Sequence, residues 1–328
     1  MLRFIINRLI AMVLTLWAVS VVAFAIIQLP PGDYLTTYVA TLNSNGDRVD
    51  PSTIEALRQQ YGFGEPFLVQ YWKWISGIVG SGDFGQSFEW KAPVTTLIWG
   101  RLGNSILVEG LAVVAMWTIA LPIGIYAAVR KYSLGDYLAT IGGFIGLAVP
   151  NFLMALVLMY LSFVWFGTTI GGLFSPEFEN AHWSLPRIWD FLSRAWAPVL
   201  VLATAGTAEL IRILRANLLD ELKKPYVTTA RAKGLHERLV VVRHSLKGAM
   251  MPVVSYLGPA TAAVMTGSVV IETIFGVPGI GTYFVNAALN RDYPLVMGVV
   301  IVYAVLIMLL NLVVDLLYAV LDPKVRYS

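Results

Sequence analysis

Nine Lys and Arg side chains lie between residues 212 and 247, together with only three acidic ones. Such groups bind the carboxylates of a partner protein or the phosphates of lipid headgroups, so the predicted chemistry is recognition rather than bond making. Residues 228–246 read TTARAKGLHERLVVVRHSL and predict a short helix that ends at Gly234, where glycine can adopt a positive φ. About 35 residues are too many for a turn between helices, so we expect this segment to have a function of its own.

The predicted helix and the residues after it include three small and three basic residues: Ala230, Ala232, Gly234, Arg231, Lys233 and Arg238. The small ones would let the helix enter a narrow groove of a partner protein. The basic ones would then meet acidic side chains at the rim, which directs docking more than it supplies affinity. The same pattern fits an amphipathic helix lying on anionic lipid headgroups, and the residues alone leave both interpretations open.

The composition is typical of a membrane protein that crosses the bilayer several times. Apolar residues make up 57% of the 328 residues, and charged residues make up 13%. A soluble domain carries about 25% charged residues. The net charge of +3 is small and the basic residues are clustered, which indicates membrane topology rather than nucleic-acid binding. The chain has no cysteine and only three scattered histidines, so we expect neither a disulfide nor a metal site.

Six stretches are long and apolar enough to cross a bilayer core of roughly 30 Å, which takes about 20 helical residues. They are residues 9–29, 103–129, 138–166, 196–215, 250–275 and 295–321. With both termini in the cytoplasm, 15 Lys and Arg residues lie in inner segments and eight lie in outer ones. This imbalance follows the positive-inside rule, so we predict that both termini are cytoplasmic. The apolar run near the N-terminus is long enough for a full span, which favours a membrane helix over a cleaved signal peptide.

The first outer segment is predicted to be partly helical. One short helix is expected to end at Gly62, and a second one is expected to follow Pro66, with Trp72 and Trp74 near the membrane interface. The predicted division of the chain is 1–29 for the N-terminus and first span, 30–100 for the extracytoplasmic segment, and 101–328 for a five-helix core that includes the cytoplasmic loop 216–249.

Four acidic residues lie within the predicted spans or at their ends: Glu109, Glu209, Glu272 and Asp315. A charge at the bilayer centre costs roughly 2.5–3.5 kcal/mol on insertion scales, so such groups usually face protein or water. Glu209 can pair with Arg212 one helical turn further on. For Glu109 and Asp315 we predict structural partners on neighbouring helices rather than a proton relay.

The sequence carries none of the motifs that would power transport from within this chain. It contains no Gly-Lys pair and therefore no P-loop for ATP, and no hydrolase motif of the Gly-x-Ser-x-Gly or His-Glu-x-x-His type. An inverted repeat, typical of many secondary transporters, is not evident either. The remaining interpretation is a pore subunit driven by a separate ATPase through the basic segment.

Several motifs resemble the permease subunits of ABC importers. Their cytoplasmic motif is Glu-Ala-Ala, three residues, Gly, nine residues, Ile, one residue, Leu-Pro, of which Ala230, Gly234 and Leu246 are present here. The variant in the dipeptide/oligopeptide class is closer, with Tyr226-Val-Thr-Thr-Ala-Arg-Ala-Lys-Gly234-Leu followed by Arg243-His244 and Pro252. Other segments similar to that class are Pro31-Gly32-Asp33, Tyr61-Gly62, Gln70-Tyr71-Trp72, Gly82-Asp83-Phe84-Gly85-Gln86-Ser87, Glu272-Thr-Ile-Phe275, Pro278-Gly279-Ile-Gly281, Arg291-Asp292-Tyr293-Pro294, Asn311-Leu-Val-Val-Asp315-Leu-Leu-Tyr318 and Asp322-Pro323. The resemblance extends over some 300 residues, in order along the chain.

The resemblance implies an all-α integral membrane protein with six transmembrane helices, similar to the permeases of type I ABC importers. Such a chain is a non-catalytic pore subunit that binds no cofactor of its own, while ATP and Mg bind to partner subunits. The implied partners are a different sister permease, two ABC ATPase subunits, an extracytoplasmic solute-binding protein and membrane lipid, but no nucleic acid. The implied location is the plasma membrane of a bacterium or archaeon.

The resemblance also implies two sets of functional residues and no metal ligands. The loop that couples the permease to its ATPases would include Tyr226, Thr229, Ala230, Arg231, Ala232, Lys233, Gly234, Leu235, Arg238 and His244. The outer gate, or the contact with the binding protein, would include Asp33, Glu272, Phe275, Pro278, Gly279, Asp292 and Tyr293.

The sequence leaves more than one candidate for the transported solute and for the class of transport. Relatives in this class handle di- and oligopeptides, which we take as the first candidates. Oligosaccharides are the second, since Trp117, Trp165 and Phe166 could stack on sugar rings. A proton-coupled carrier that uses Glu109 and Asp315 is an alternative of a different class, and a membrane scaffold without transport is a further one.

Overall fold

A computed structural model describes residues 2–28, 64–87, 89–179 and 181–321 of the chain. The helices in this part are α1 (Leu2–Gln28), α2 (Phe67–Ser81), α3 (Val94–Val129), α4 (Leu134–Ala148), α5 (Asn151–Phe166), α6 (Leu185–Glu221), α7 (Pro225–Ala232), α8 (Glu237–Leu239), α9 (Leu246–Ser255), α10 (Leu257–Phe275), α11 (Ile280–Leu289) and α12 (Tyr293–Leu321). Two short strands, β1 (Gln86–Ser87) and β2 (Ala92–Pro93), form an antiparallel pair. A π-helical segment, Val240–Ser245, joins α8 to α9.

Five of these helices are long and apolar enough to cross a membrane, namely α1 over Ile5–Ile26, α3, α6, α10, and α12 over Tyr293–Leu317. The pair α4 and α5 makes a sixth span if the two are counted together. The predicted all-α membrane fold with six spans is therefore confirmed. Helix α2 begins directly after Pro66, as predicted. The helix predicted to end at Gly62 and the predicted site residue Asp33 lie outside the described residues.

Hydropathy suggested one straight helix over residues 138–166, but the structure differs. The stretch is divided between α4 and α5, whose axes differ by 100°. The cause is Pro150, because the ring of a proline excludes the preceding residue from the helical region. Val149 accordingly has φ −87° and ψ 119°, and Pro150 is the N-cap of the next helix.

Two further spans have different limits from those predicted. The stretch 196–215 is the middle of the 37-residue helix α6, which begins at Leu185, ahead of the predicted span, and continues beyond it to Glu221. Ser184 caps its start, since its hydroxyl accepts a hydrogen bond from the backbone N–H of Arg187. The stretch 250–275 contains two helices, α9 and α10, which meet at Tyr256. Apolar character over the whole stretch conceals this division, because hydropathy reports burial rather than helix continuity.

The first of two compact units contains the described residues up to Gly103 and Gly279–Leu306. Its core is built from the start of α3, α11 and the start of α12, and consists of Val94, Ile98, Leu102, Ile280, Tyr283, Ala287, Leu295 and Val299. Helix α1 packs on α2 through the ring of Phe24. A buried hydrogen bond of 2.8 Å between Ser20 Oγ and Tyr71 Oη joins the same two helices. The two hydroxyl groups buried between α1 and α2 therefore satisfy each other's hydrogen-bonding capacity.

The second compact unit runs from Asn104 to Pro278 and includes α12 from Ile307 onwards. Helix α6 has buried residues along its length, from Phe191 to Leu218. It supplies both apolar cores of this unit, one with Val108, Leu202, Val264 and Phe275 and the other with Met116, Leu210, Leu214 and Val253. Helix α6 is thus the element on which the rest of this unit packs.

Gly171 lies where the chain after α5 passes the end of α10. A Cβ at this position would lie 2.7 Å from the backbone oxygen of Phe275, an atom that also accepts a 2.8 Å hydrogen bond from the N–H of Gly172. Because the obstacle is backbone, we expect Gly171→Ala to lower the free energy of unfolding by about 1–3 kcal/mol. The thermal midpoint of the detergent-solubilised protein would measure this loss. Gly142→Ala is the control, since nothing lies within 4 Å of its new Cβ, and equal midpoints for the two variants would contradict the prediction.

Candidate functional site

Helix α7 is the short helix that the sequence predicted in the basic segment. Lys224 is its N-cap and Pro225 its first residue, where the missing N–H of proline costs nothing. Gly234 has φ +74°, as predicted. Its N–H donates to the carbonyl of Arg231 at 2.9 Å, and the N–H of Leu235 donates to that of Ala230 at 3.4 Å. These two bonds are the Schellman ending of a helix, so Gly234 closes α7 through its backbone conformation.

The inner face of α7 is held on the permease itself by a small apolar cluster. Val227, Ala230 and Val240 are buried there, with Leu222 and Leu235 packed against them. The expectation that Ala230 enters a groove of another protein is therefore wrong in this structure, because its side chain is only 6% exposed within its own chain. The spacing of Val227 and Ala230 by three residues puts both on one helix face, and this signal was present in the sequence.

The opposite face of α7 and its ending are exposed. This surface, which we name the α7 face, consists of Thr228, Thr229, Ala232, Lys233 and Gly234. Arg238 is also exposed, one short turn further on. His244 is partly buried in the π-helical segment and does not belong to the α7 face. The α7 face thus contains four of the predicted site residues, together with Thr228.

Arg231 is engaged within its own chain rather than directed at a partner. Its Nη2 and Nε lie 2.7 and 3.1 Å from the carboxylate oxygens of Glu237. This pairing lowers the pKa of Glu237 and raises that of Arg231. The stability that Glu237 contributes is therefore present at neutral pH and is lost only as the pH falls through its lowered pKa. The side chains of Arg231 and Glu237 are both about half exposed, so the pair contributes little to stability. Of the three basic residues predicted to meet a partner, Lys233 and Arg238 are therefore the ones left for docking.

Glu221 was not singled out in the sequence, yet it contacts a predicted site residue. The hydroxyl of Tyr226 donates a hydrogen bond to Glu221 Oε2, and Lys224 Nζ lies 2.6 Å from Oε1. Partial burial and this hydrogen bond raise the pKa of Tyr226 to about 12, so its hydroxyl stays protonated at physiological pH. A spacing of five residues across a helix end has no periodic signature, which is why sequence reasoning missed the contact.

The predicted outer-site residues are mostly buried. Glu272 is fully buried, Phe275 and Asp292 are 2% and 1% exposed, and Gly279 is buried as well. A direct contact of these four residues with a binding protein is therefore contradicted by their burial within the chain. Pro278 and Tyr293 are partly buried.

Asp292 joins two motifs that are 200 residues apart in the sequence. Its Oδ2 accepts hydrogen bonds from Ser87 Oγ and, at 3.3 Å, from the N–H of Glu89. Its own N–H donates to the carbonyl of Ala287 at 2.8 Å. Asp292 therefore holds the β1–β2 hairpin at the start of α12.

We expect Asp292→Ala to release the hairpin and to cost about 1–3 kcal/mol, the range for unsatisfied buried hydrogen-bonding groups. Faster proteolysis or hydrogen exchange of residues 82–93, compared with the wild type, would measure this release. Asp83→Ala is a control on the same loop, because its carboxylate accepts only from the nearby N–H of Gly85 among the contacts seen here. Equal protection of the hairpin in both variants would refute the role of Asp292.

Two acidic residues in the second unit behave as predicted. Glu209 Oε1 lies 2.7 Å from Nη2 of Arg212, one turn along α6. Glu109, which is 5% exposed, accepts a 2.5 Å hydrogen bond from Ser268 of α10. Asp315 is partly buried. The contact of Glu109 supports structural pairing between helices.

Residues 120–327 match the family described as "Binding-protein-dependent transport system inner membrane component", and residues 1–107 match its N-terminal counterpart. The chain belongs to this family. This permease is thus a transport subunit and a multi-pass membrane protein.

Curated relatives and a solved structure agree with this assignment. The permease is 38% identical to the oligopeptide transport system permease protein AppB of Bacillus subtilis and 35% identical to OppB of Salmonella typhimurium, each covering 100% of both chains. The predicted resemblance to permeases of the oligopeptide class is confirmed. A solved structure of the MetNI methionine ABC transporter, in an inward-facing conformation, matches with a TM-score of 0.51 and 15% identity over 70% of this chain and 97% of that one. At that identity the match supports the fold alone.

Proposed function

We propose that this permease is the membrane subunit of an ATP-driven, binding-protein-dependent importer of oligopeptides. Its relatives in Bacillus subtilis and Salmonella typhimurium carry the name of oligopeptide transport permeases and align over their full length. This supports peptides over oligosaccharides as the solute. Two of the three candidates for stacking on sugar rings, Trp165 and Phe166, are exposed at the end of the apolar helix α5, as is usual for side chains that contact lipid. The third, Trp117, is partly buried against an apolar core of the second unit.

The observation that carries the driven mechanism is the two-sided construction of α7. One side is anchored in the permease by the cluster around Val227, and the α7 face is exposed and ends sharply at Gly234. We propose that the α7 face docks on an ABC ATPase, with Lys233 and Arg238 meeting acidic residues at the rim of its groove. A lipid-bound amphipathic helix would instead place apolar side chains outward, whereas Val227 and Ala230 point inward.

The proposed complex contains two ATPase subunits, a different sister permease and an extracytoplasmic solute-binding protein. ATP and Mg bind to the ATPases, and this chain holds neither. Both termini and α7 lie in the cytoplasm, and the membrane is the bacterial or archaeal plasma membrane. The segment 30–100 lies outside and the core spans 101–328. We retain an outer-gate role, without contact to the binding protein, for the buried residues Glu272, Phe275, Gly279 and Asp292, together with Pro278 and Tyr293.

The test is purification of the permease from its native membrane followed by reconstitution into liposomes. We expect two ATPases and a second permease to co-purify, and ATP to drive uptake of a radiolabelled oligopeptide mixture when the binding protein is present. Uptake of labelled oligosaccharides instead of peptides would overturn the solute. Uptake driven by a pH gradient without ATP, or ATPase activity that no solute stimulates, would overturn the function itself.

A further inference from the structure

The carboxylate of Glu221, at the end of α6, contacts both α7 and α9. These three helices have to move together if α7 is driven from outside. Glu221 is the last residue of the long helix α6, and its side chain is 13% exposed. It accepts the hydrogen bond from Tyr226, the second residue of α7. It also lies against α9 at Gly248, where a Cβ would come within 2.7 Å of the carboxyl carbon and of Oε1. Only a glycine in α9 allows this approach.

The other contacts of α7 hold parts of the helix different from the part that Glu221 holds. The apolar cluster of Val227, Ala230 and Val240 holds the middle of α7, and the half-exposed Arg231–Glu237 pair, which contributes little, lies at its end. Apolar contacts are not directional, so a helix held only by the cluster could rotate about it. A hydrogen bond to an ionised acceptor is short and directional, and it fixes the start of α7 to α6.

We propose that Glu221, Tyr226 and Gly248 form a transmission joint, in which Glu221 is the positioning residue that passes displacement of α7 to α6 and α9. The inference rests on the proposed function, since α7 is displaced only if an ATPase docks on it. Lys224 supplies the counter-charge that keeps the carboxylate ionised and in place. None of the three joint residues belongs to the α7 face, so substitutions in the joint affect transmission without changing the docking surface. Loss of the joint therefore weakens the link between ATP turnover and transport while the complex stays assembled.

The experiment measures oligopeptide uptake per ATP hydrolysed in liposomes that contain the whole complex. Tyr226→Phe removes the hydroxyl but keeps the ring, and Glu221→Gln removes the charge that fixes both Tyr226 and Lys224. For each variant we expect the ratio of uptake to ATP hydrolysis to fall about tenfold, the effect of losing ~1.4 kcal/mol. The double variant is expected to be no worse than either single one, because both remove the same contact. Gly248→Ala is expected to reproduce the defect by displacing the carboxylate.

Matched controls lie close by. Asp220→Asn removes the adjacent, exposed carboxylate, which pairs with Lys223 at 3.1 Å, and Tyr132→Phe removes an exposed tyrosine hydroxyl elsewhere in the same unit. Both are expected to keep the wild-type ratio. A wild-type ratio in Tyr226→Phe and Glu221→Gln would overturn the joint, and so would a loss that is fully explained by missing ATPase subunits in the purified complex. A wild-type complex with no ATP-driven uptake would overturn the proposed function instead, so the two failures are distinguishable.

Discussion

Gly234→Val is expected to lower ATP-driven uptake by more than tenfold while the permease still inserts into the membrane in normal amount. Beyond the adjacent residues, nothing lies within 4 Å of a Cβ at this position, so the expected defect does not depend on a clash of that atom. It comes from φ +74°, a conformation that costs an L residue roughly 1–2 kcal/mol and a β-branched residue more. Valine would abandon the bonds from Gly234 and Leu235 that close α7. The α7 face would then lose its sharp end.

Asparagine separates backbone strain from contact with a partner. Asn enters the left-handed region more readily than other residues, so Gly234→Asn should keep most of the uptake if conformation decides. Gly167→Val is the control for strain alone, because Gly167 also ends a helix, has φ +67° and has no atom within 4 Å of a Cβ. That variant is expected to reduce stability but to retain the uptake measured per ATP. If Asn and Val at position 234 were equally inactive, contact with the partner rather than backbone conformation would set the requirement for glycine.

The features that the sequence predicted well are those set by local physics. A run of apolar residues marks a span whatever surrounds it, and a glycine after a short helical segment marks an end with positive φ. For these reasons the spans, α2 and the ending of α7 at Gly234 were all predicted. The sharp division at Val149 is an intermediate case. Pro150 was visible, but hydropathy could not distinguish a bent helix from two helices that meet at 100°.

The features that were missed depend on contacts between distant segments. Asp292 was assigned to the outer gate or to the contact with the binding protein, whereas it is buried and holds the hairpin that contains Ser87. Nothing in the local sequence around either residue specifies the other. Glu221 was counted only as one of three acids in a basic segment, and its role depends on how α6, α7 and α9 pack. Polar residues that satisfy each other inside a fold are thus the least accessible to single-sequence reasoning.

Arg215→Met is expected to have the largest effect on stability among the variants considered. Arg215 of α6 holds Asp136 of α4 through two hydrogen bonds, 2.7 Å from Nε to Oδ1 and 2.8 Å from Nη2 to Oδ2. The Asp136 side chain is only 3% exposed. Removing the guanidinium leaves a buried carboxylate without its counter-charge, which costs about 3–5 kcal/mol. We expect a large fall in the thermal midpoint of the detergent-solubilised protein and a low yield from the membrane.

Three further variants test that the buried charge is the cause. Asp136→Asn combined with Arg215→Met should recover much of the loss, because the amide oxygen can still accept the 2.9 Å hydrogen bond from the N–H of Tyr132 while no charge is buried. Arg215→Lys should be intermediate, since an ammonium group cannot form both bonds at once. Lys223→Met is the control, because it removes the partner of Asp220 from an ion pair whose side chains are 71% and 77% exposed, and it should change the midpoint little. A double variant as unstable as Arg215→Met alone would mean that the packing of the arginine stem, and not its charge, joins α4 to α6.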